Sequence, residues 1–125
     1  MTLKMAGSKL IVLLLLGFLL SLSLATAADV TFKVSNLPAS ITVGQIFQFD
    51  VLVDASVEVK QLEFKLTPSG GITINSAVSG NLFSGATVTF NQQVSGGGYK
   101  YGETTSGTGV SGNNQKFVTL TATAA

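Results

Sequence analysis

Cysteine, histidine, arginine and tryptophan are all missing from this chain of 125 residues. Without cysteine there is no disulfide, no thiolate nucleophile and no zinc–thiolate site. Without histidine the commonest general base and the commonest transition-metal ligand are gone as well. The seven basic residues are all lysine, and charged residues make up only 10% of the chain. So thin a cationic complement cannot neutralise a run of phosphates, so nucleic acid is not an expected partner. The length holds one domain, and no internal repeat divides it.

Carboxylates are few: Asp29, Asp50, Asp54, Glu58, Glu63 and Glu103. A glycosidase needs two of them facing across a cleft, and no pair is spaced to suggest one. Asp50 and Asp54 are an even number apart, so both point the same way from one strand. They could approach calcium, but the oxygen-rich loop expected for that ion is missing, and solvated strand positions are the simpler reading. Gly96-Gly97-Gly98 and Gly107-Thr108-Gly109 neither open a helix nor precede Gly-Lys-Ser/Thr, so they read as loops rather than phosphate cradles. The expectation is a protein that is not an enzyme and carries no cofactor and no metal.

What is present begins with a leader. Lys4 and Lys9 give a positive start, and Leu10 to Leu20 is an unbroken apolar run. Ala25-Thr26-Ala27 is a small-x-small site, with cleavage expected between Ala27 and Ala28. This order is that of a secretory signal peptide, expected as a helix over residues 1–27. The competing reading is an uncleaved anchor, but the apolar core is short of the ~20 residues that span a bilayer. Residues 28–125 then form the exported domain, with no membrane span after cleavage. Its five lysines face six acids.

Period-two alternation fills that domain, and no helical stripe interrupts it. Val30, Phe32 and Val34 alternate with polar residues; so do Phe47, Phe49, Val51 and Val53, then Leu62, Phe64 and Leu66. Shorter runs follow at Ile72–Ile74, Ala86–Phe90, Tyr99–Tyr101 and Val118–Ala122. Turn clusters separate them at Ser35–Pro38, Pro68–Gly71 and Gly96–Gly98, and Ser106–Asn114 reads as a loop. Seven or eight short strands of this kind predict an all-β antiparallel sandwich. The expected core is Phe32, Phe47, Phe49, Leu62, Phe64, Ile74, Val88, Phe90 and Leu120.

Taken in order, several stretches resemble a cohesin domain. Val43-Gly44-Gln45 followed by Phe47–Val53 is similar to the opening of that family, and Val59–Leu66 to its next strand. Ser79-Gly80-Asn81-Leu82-Phe83 resembles the family's Gly-Asp-Leu-Phe segment. Tyr101-Gly102 with Ser106–Gly112 resembles its late glycine-rich loop, and Phe117–Ala122 the strand after it. Two features depart: Leu66-Thr67-Pro68 lacks the Tyr-Asp-Pro turn, and the family has a further closing strand beyond the point matched by Ala125. Without that strand, an unpaired edge is expected beside Val30–Val34. The resemblance implies a jelly roll that docks dockerin-bearing proteins in cellulosomes and related polysaccharide-degrading assemblies.

In that family the partner sits on a flat face built from the third, fifth, sixth and eighth strands. Here the outward residues of that face are expected to be Gln61, Glu63, Lys65, Thr87, Thr89 and Asn91. Taken singly, each is better read as a solvent-facing strand position. Two further readings stay open. The fold also serves carbohydrate-binding modules, for which Tyr99 and Tyr101, two apart on one strand, are the candidate stacking residues, while core or rim positions are an equal reading of the same pair. A structural surface-layer or adhesion subunit suits the same composition.

Overall fold

Residues that alternate between apolar and polar put one face of a strand in water and the other against a second layer. Two such four-stranded sheets hold most of the described residues. The structure, a computed structural model, describes residues 9–11, 19–22 and 30–124. Ten strands run in order: β1 (Lys9–Ile11), β2 (Leu19–Leu22), β3 (Val30–Ser35), β4 (Ser40–Thr42), β5 (Ile46–Val59), β6 (Gln61–Thr67), β7 (Ile72–Ser79), β8 (Thr87–Val94), β9 (Gly98–Thr104) and β10 (Val110–Ala124). One sheet has the order β3-β5-β10-β7 and the other β2-β6-β9-β8, while β1 pairs with β4 alone. Every pairing is antiparallel.

The two sheets share one core, the arrangement of a β-sandwich. Phe32 of β3 and Phe117 of β10 come from one sheet, and Phe64 of β6 and Tyr101 of β9 from the other. Their ring centroids lie 5.5 Å apart for Phe32–Phe64, 6.0 Å for Phe64–Phe117 and 5.4 Å for Tyr101–Phe117. All three are edge-on contacts, the geometry that the ring quadrupole favours. Around this box lie Phe49, Val51, Val53, Leu62, Leu66, Ile74 and Leu120, each almost fully buried.

The chain crosses from one sheet to the other at a single residue, Lys60, between β5 and β6. That corner is held from outside: the Thr105 N–H donates to the Lys60 carbonyl at 2.9 Å. Gly109 presses against it so closely that a Cβ there would lie 2.4 Å from the Val59 carbonyl oxygen. Only glycine fits.

Bulges in β10 and β8 shift which side chains face inward. In β10 the register steps between Lys116 and Val118, leaving Phe117 as the extra residue. A bulge places consecutive side chains on one side of the strand, so Phe117 and Val118 are both buried. The second bulge, in β8, lies between Val88 and Phe90.

Several expectations need correction. Val88 is 47% exposed and Phe90 is half-buried, so neither belongs to the core as expected. β8 is an edge strand, and its bulge carries Phe90 to the outer side. The expected loop over Ser106–Asn114 is partly strand, because β10 begins at Val110 and pairs there with Val59 at the far end of β5. The leader was expected as a helix, but its described parts are strands: Lys9–Ile11 on β4, and Leu19–Leu22 on β6. An extended segment beside an open sheet edge satisfies its backbone groups by pairing, which is the alternative to satisfying them within a helix. The expected cleavage point, Ala27 and Ala28, lies outside the described residues. Among the described residues no helix is long and apolar enough to cross a membrane.

Candidate docking face

The outer side of β6, β9 and β8 forms a continuous polar face. Register aligns it in three rows: Gln61 with Thr104 and Thr87, Glu63 with Gly102 and Phe90, and Lys65 with Lys100 and Gln92. Gly102 makes the centre of the face low. A Cβ there would come 2.6 Å from Thr89 Oγ1 and 3.2 Å from Glu63 Cγ, so these neighbours close over the position.

Lys100 organises the middle. Its ammonium lies 3.6 Å from Glu63 Oε2 and 3.7 Å from the centroid of the Phe90 ring. One cation therefore serves a carboxylate and an aromatic face together. Thr104 donates its hydroxyl to the Lys60 carbonyl at 3.3 Å. Gln61, Lys65, Thr87 and Gln92 are exposed and make no side-chain hydrogen bond to another described residue.

Measured against the expected set, Gln61, Lys65, Thr87 and Thr89 are on this face and exposed. Glu63 is on it but only 7% exposed, its carboxylate turned to Lys100. Asn91 is not on it. The bulge in β8 sets Asn91 opposite Tyr101, and its side-chain oxygen accepts from the Tyr99 hydroxyl. Strict alternation misses Phe90 and Gln92, which lie beyond the bulge, and the expected set left out Lys100, which faces outward between Tyr99 and Tyr101. The positions of Lys100 and Gln92 follow once β9 is paired to both neighbours, whereas nothing local in Thr87–Val94 announces the bulge.

Tyr99 and Tyr101 are 5% and 1% exposed, which corrects their reading as a sugar-stacking pair: a buried ring offers no face to a ligand. Burial raises the Tyr99 phenol above its ordinary value. Burial, and then the hydrogen bond to Glu103, push the Tyr101 phenol up further. Glu103 faces the core from the same strand and is fully buried. Its Oε2 accepts from the Tyr101 hydroxyl, and its Oε1 has no partner among the described residues.

Asp50 and Asp54 each have their own partners. Asp50 accepts from Asn36 at 2.6 Å and from the Thr119 hydroxyl at 2.8 Å. Asp54 accepts from the Asn114 N–H at 2.6 Å and pairs with Lys33 at 3.1 Å. The Asn114 N–H, followed by Lys33, holds the Asp54 carboxyl below its ordinary value. These bonds continue across the outer side of the other sheet, where Thr121 bonds Gln48 and Thr123 bonds Asn75.

Compared with known proteins, the chain matches no family model, no curated protein and no solved structure.

Proposed function

We propose that this chain is an exported, non-catalytic binding module resembling cohesin, and that the outer side of β6, β9 and β8 docks a dockerin-bearing protein in a polysaccharide-degrading or surface assembly. One observation carries the reading. This face leaves Gln61, Lys65, Thr87 and Gln92 without side-chain bonds to described residues, whereas the opposite outer face has its polar groups bonded to one another. Polar groups not already bonded at home are those a hydrogen-bonded interface uses. Counted from Val30, and setting aside short β4, the strands of the face are the third, sixth and fifth, three of the four that the resemblance implies. Lys4, Lys9, the apolar run and Ala25-Thr26-Ala27 support export, with cleavage before Ala28.

The test is capture. The chain, produced with its leader in an exporting host, is recovered from the medium and its N-terminus sequenced. It is then used to capture secreted proteins of its source, with and without a calcium chelator, beside an insoluble-polysaccharide binding assay. A start at Ala28 supports export. A dockerin-bearing protein, held with calcium, released by chelator and lost in a Lys65→Glu/Gln92→Glu variant, supports the docking face. Retention on polysaccharide with no protein captured overturns it in favour of a carbohydrate-binding module.

A further inference from the structure

β6 has two neighbours of different standing. On one side lies β9, paired from Gln61 opposite Thr104 to Leu66 opposite Tyr99. On the other lies β2, part of the leader, with Leu19 opposite Thr67, Leu20 opposite Leu66, Ser21 opposite Lys65 and Leu22 opposite Phe64. Removal of the leader before Ala28 takes β2 with it. The β6 backbone N–H and C=O groups over Phe64–Thr67 then lose these partners while Phe64 and Leu66 stay in the core. Such an edge pairs with any extended segment of matching pattern.

Two of the other edges of the two sheets are broken by bulges, whereas β6 is regular. β8 is bulged between Val88 and Phe90. β7 is bulged at Asn75, between the residues opposite Ala122 and Thr121. β6 runs against β9 without a register step. We infer that the β6 edge is a strand-acceptor site, that Leu19–Leu22 occupies it in the uncut chain, and that after cleavage it takes an extended segment of another polypeptide. That segment runs antiparallel to β6, with large apolar residues opposite Phe64 and Leu66 and a small polar residue opposite Lys65.

The donor is a different protein rather than a second copy of this domain. The apolar–polar–apolar triplets at Val30–Phe32, Phe47–Phe49 and Ile72–Ile74 are all paired within their own sheets, and Ile41-Thr42-Val43, whose partner β1 leaves with the leader, is closed into a turn by the bonds between Thr42 and Gln45. This is recognition by strand addition: the backbone supplies affinity and the alternate side chains supply selectivity. The opening of the site rests on the export reading above; the seat of β2 on β6 does not.

Two measurements on the full chain test it. The chain has no cysteine, so Ser21→Cys with Lys65→Cys introduces one pair, at positions that face each other across β2 and β6. Under mild oxidation an intramolecular disulfide forms in most molecules, whereas a Ser21→Cys/Lys116→Cys control does not cross-link. In the second measurement a specific protease site replaces residues 24–27 and is cut after folding. A labelled peptide carrying the sequence of residues 18–24, with flanking lysines for solubility, is titrated in and followed by fluorescence anisotropy. The cut chain binds at least tenfold more tightly than the uncut chain, and proline at the position of Leu20 in the peptide lowers binding at least tenfold. Failure of the cross-link, or equal binding by cut and uncut chains, overturns the proposal. Dimerisation of the cut chain that excludes the peptide overturns the assignment of the donor. A dockerin-bearing protein captured equally by cut and uncut chains leaves the docking face standing while the edge site fails, so the two readings are separable.

Discussion

The outer side of the β3-β5-β10-β7 sheet is laced by side-chain hydrogen bonds, whereas that of the β6-β9-β8 sheet has its contacts gathered around Lys100 and a single bond from Thr104. On the first, β10 presents Thr119, Thr121 and Thr123 on one side, bonded in turn to Asp50, Gln48 and Asn75. Lys33, Asp54 and Asn114 extend the lacing toward β3. On the second, Gln61, Lys65, Thr87 and Gln92 point outward with no such partners. Both faces carry few charges and are rich in Thr and Gln, so composition does not separate them. The difference is whether a polar group's hydrogen bonds are closed within the fold or left for water and a partner.

The largest effect comes from breaking the core that both faces stand on. Phe117→Ala removes the ring that meets Phe32, Phe64 and Tyr101, and loses about 3–5 kcal/mol of stability. Urea unfolding shows this as a lower midpoint, with both faces lost together. Tyr101→Phe is smaller. It leaves buried Glu103 Oε2 without its donor and costs about 1–3 kcal/mol. A Tyr101→Phe/Glu103→Leu double variant, which removes the stranded carboxylate, recovers part of that loss.

Substitutions on the two faces sharpen the contrast. Asp50→Ala removes the acceptor of both Asn36 and Thr119 and lowers stability by about 1 kcal/mol, with partner capture unchanged. Gln92→Glu on the docking face shifts stability by less than about 0.5 kcal/mol and lowers capture. A variant on the laced face that lowered capture equally, at unchanged stability, would remove the distinction between the faces.

The smallest effect is a pH dependence. Asp54 has its folded value held below the ordinary 3.8 by the Asn114 N–H and Lys33. Its stabilisation is therefore fully present above the unfolded value and is lost as pH falls through the lowered folded value. Urea midpoints measured down this range fall less steeply for Asp54→Asn than for the parent chain.

Much of the sandwich was legible in local pattern. The runs at Phe47–Val53 and Leu62–Leu66 are strands with the expected side buried, and Phe32, Ile74 and Leu120 are core as expected. The parts that were not legible depend on a neighbouring strand. Val110–Asn114 looks like a loop by composition and is strand because β5 extends far enough to pair with it. Phe117 was not expected in the core, since Val118 beside it held the inward position under strict alternation. Asn91 was placed on the docking face for the same reason, one residue after a bulge in β8.

By itself, then, the sequence determined the strand class, the buried side of each regular strand and the chemistry available, because alternation and residue type act within a few neighbours along the chain. Tertiary structure decided where the period slips, which polar groups find partners and which edge Leu19–Leu22 occupies. Those depend on what lies across a sheet, at positions distant in the chain, where a single extra residue reverses the side that every following residue faces.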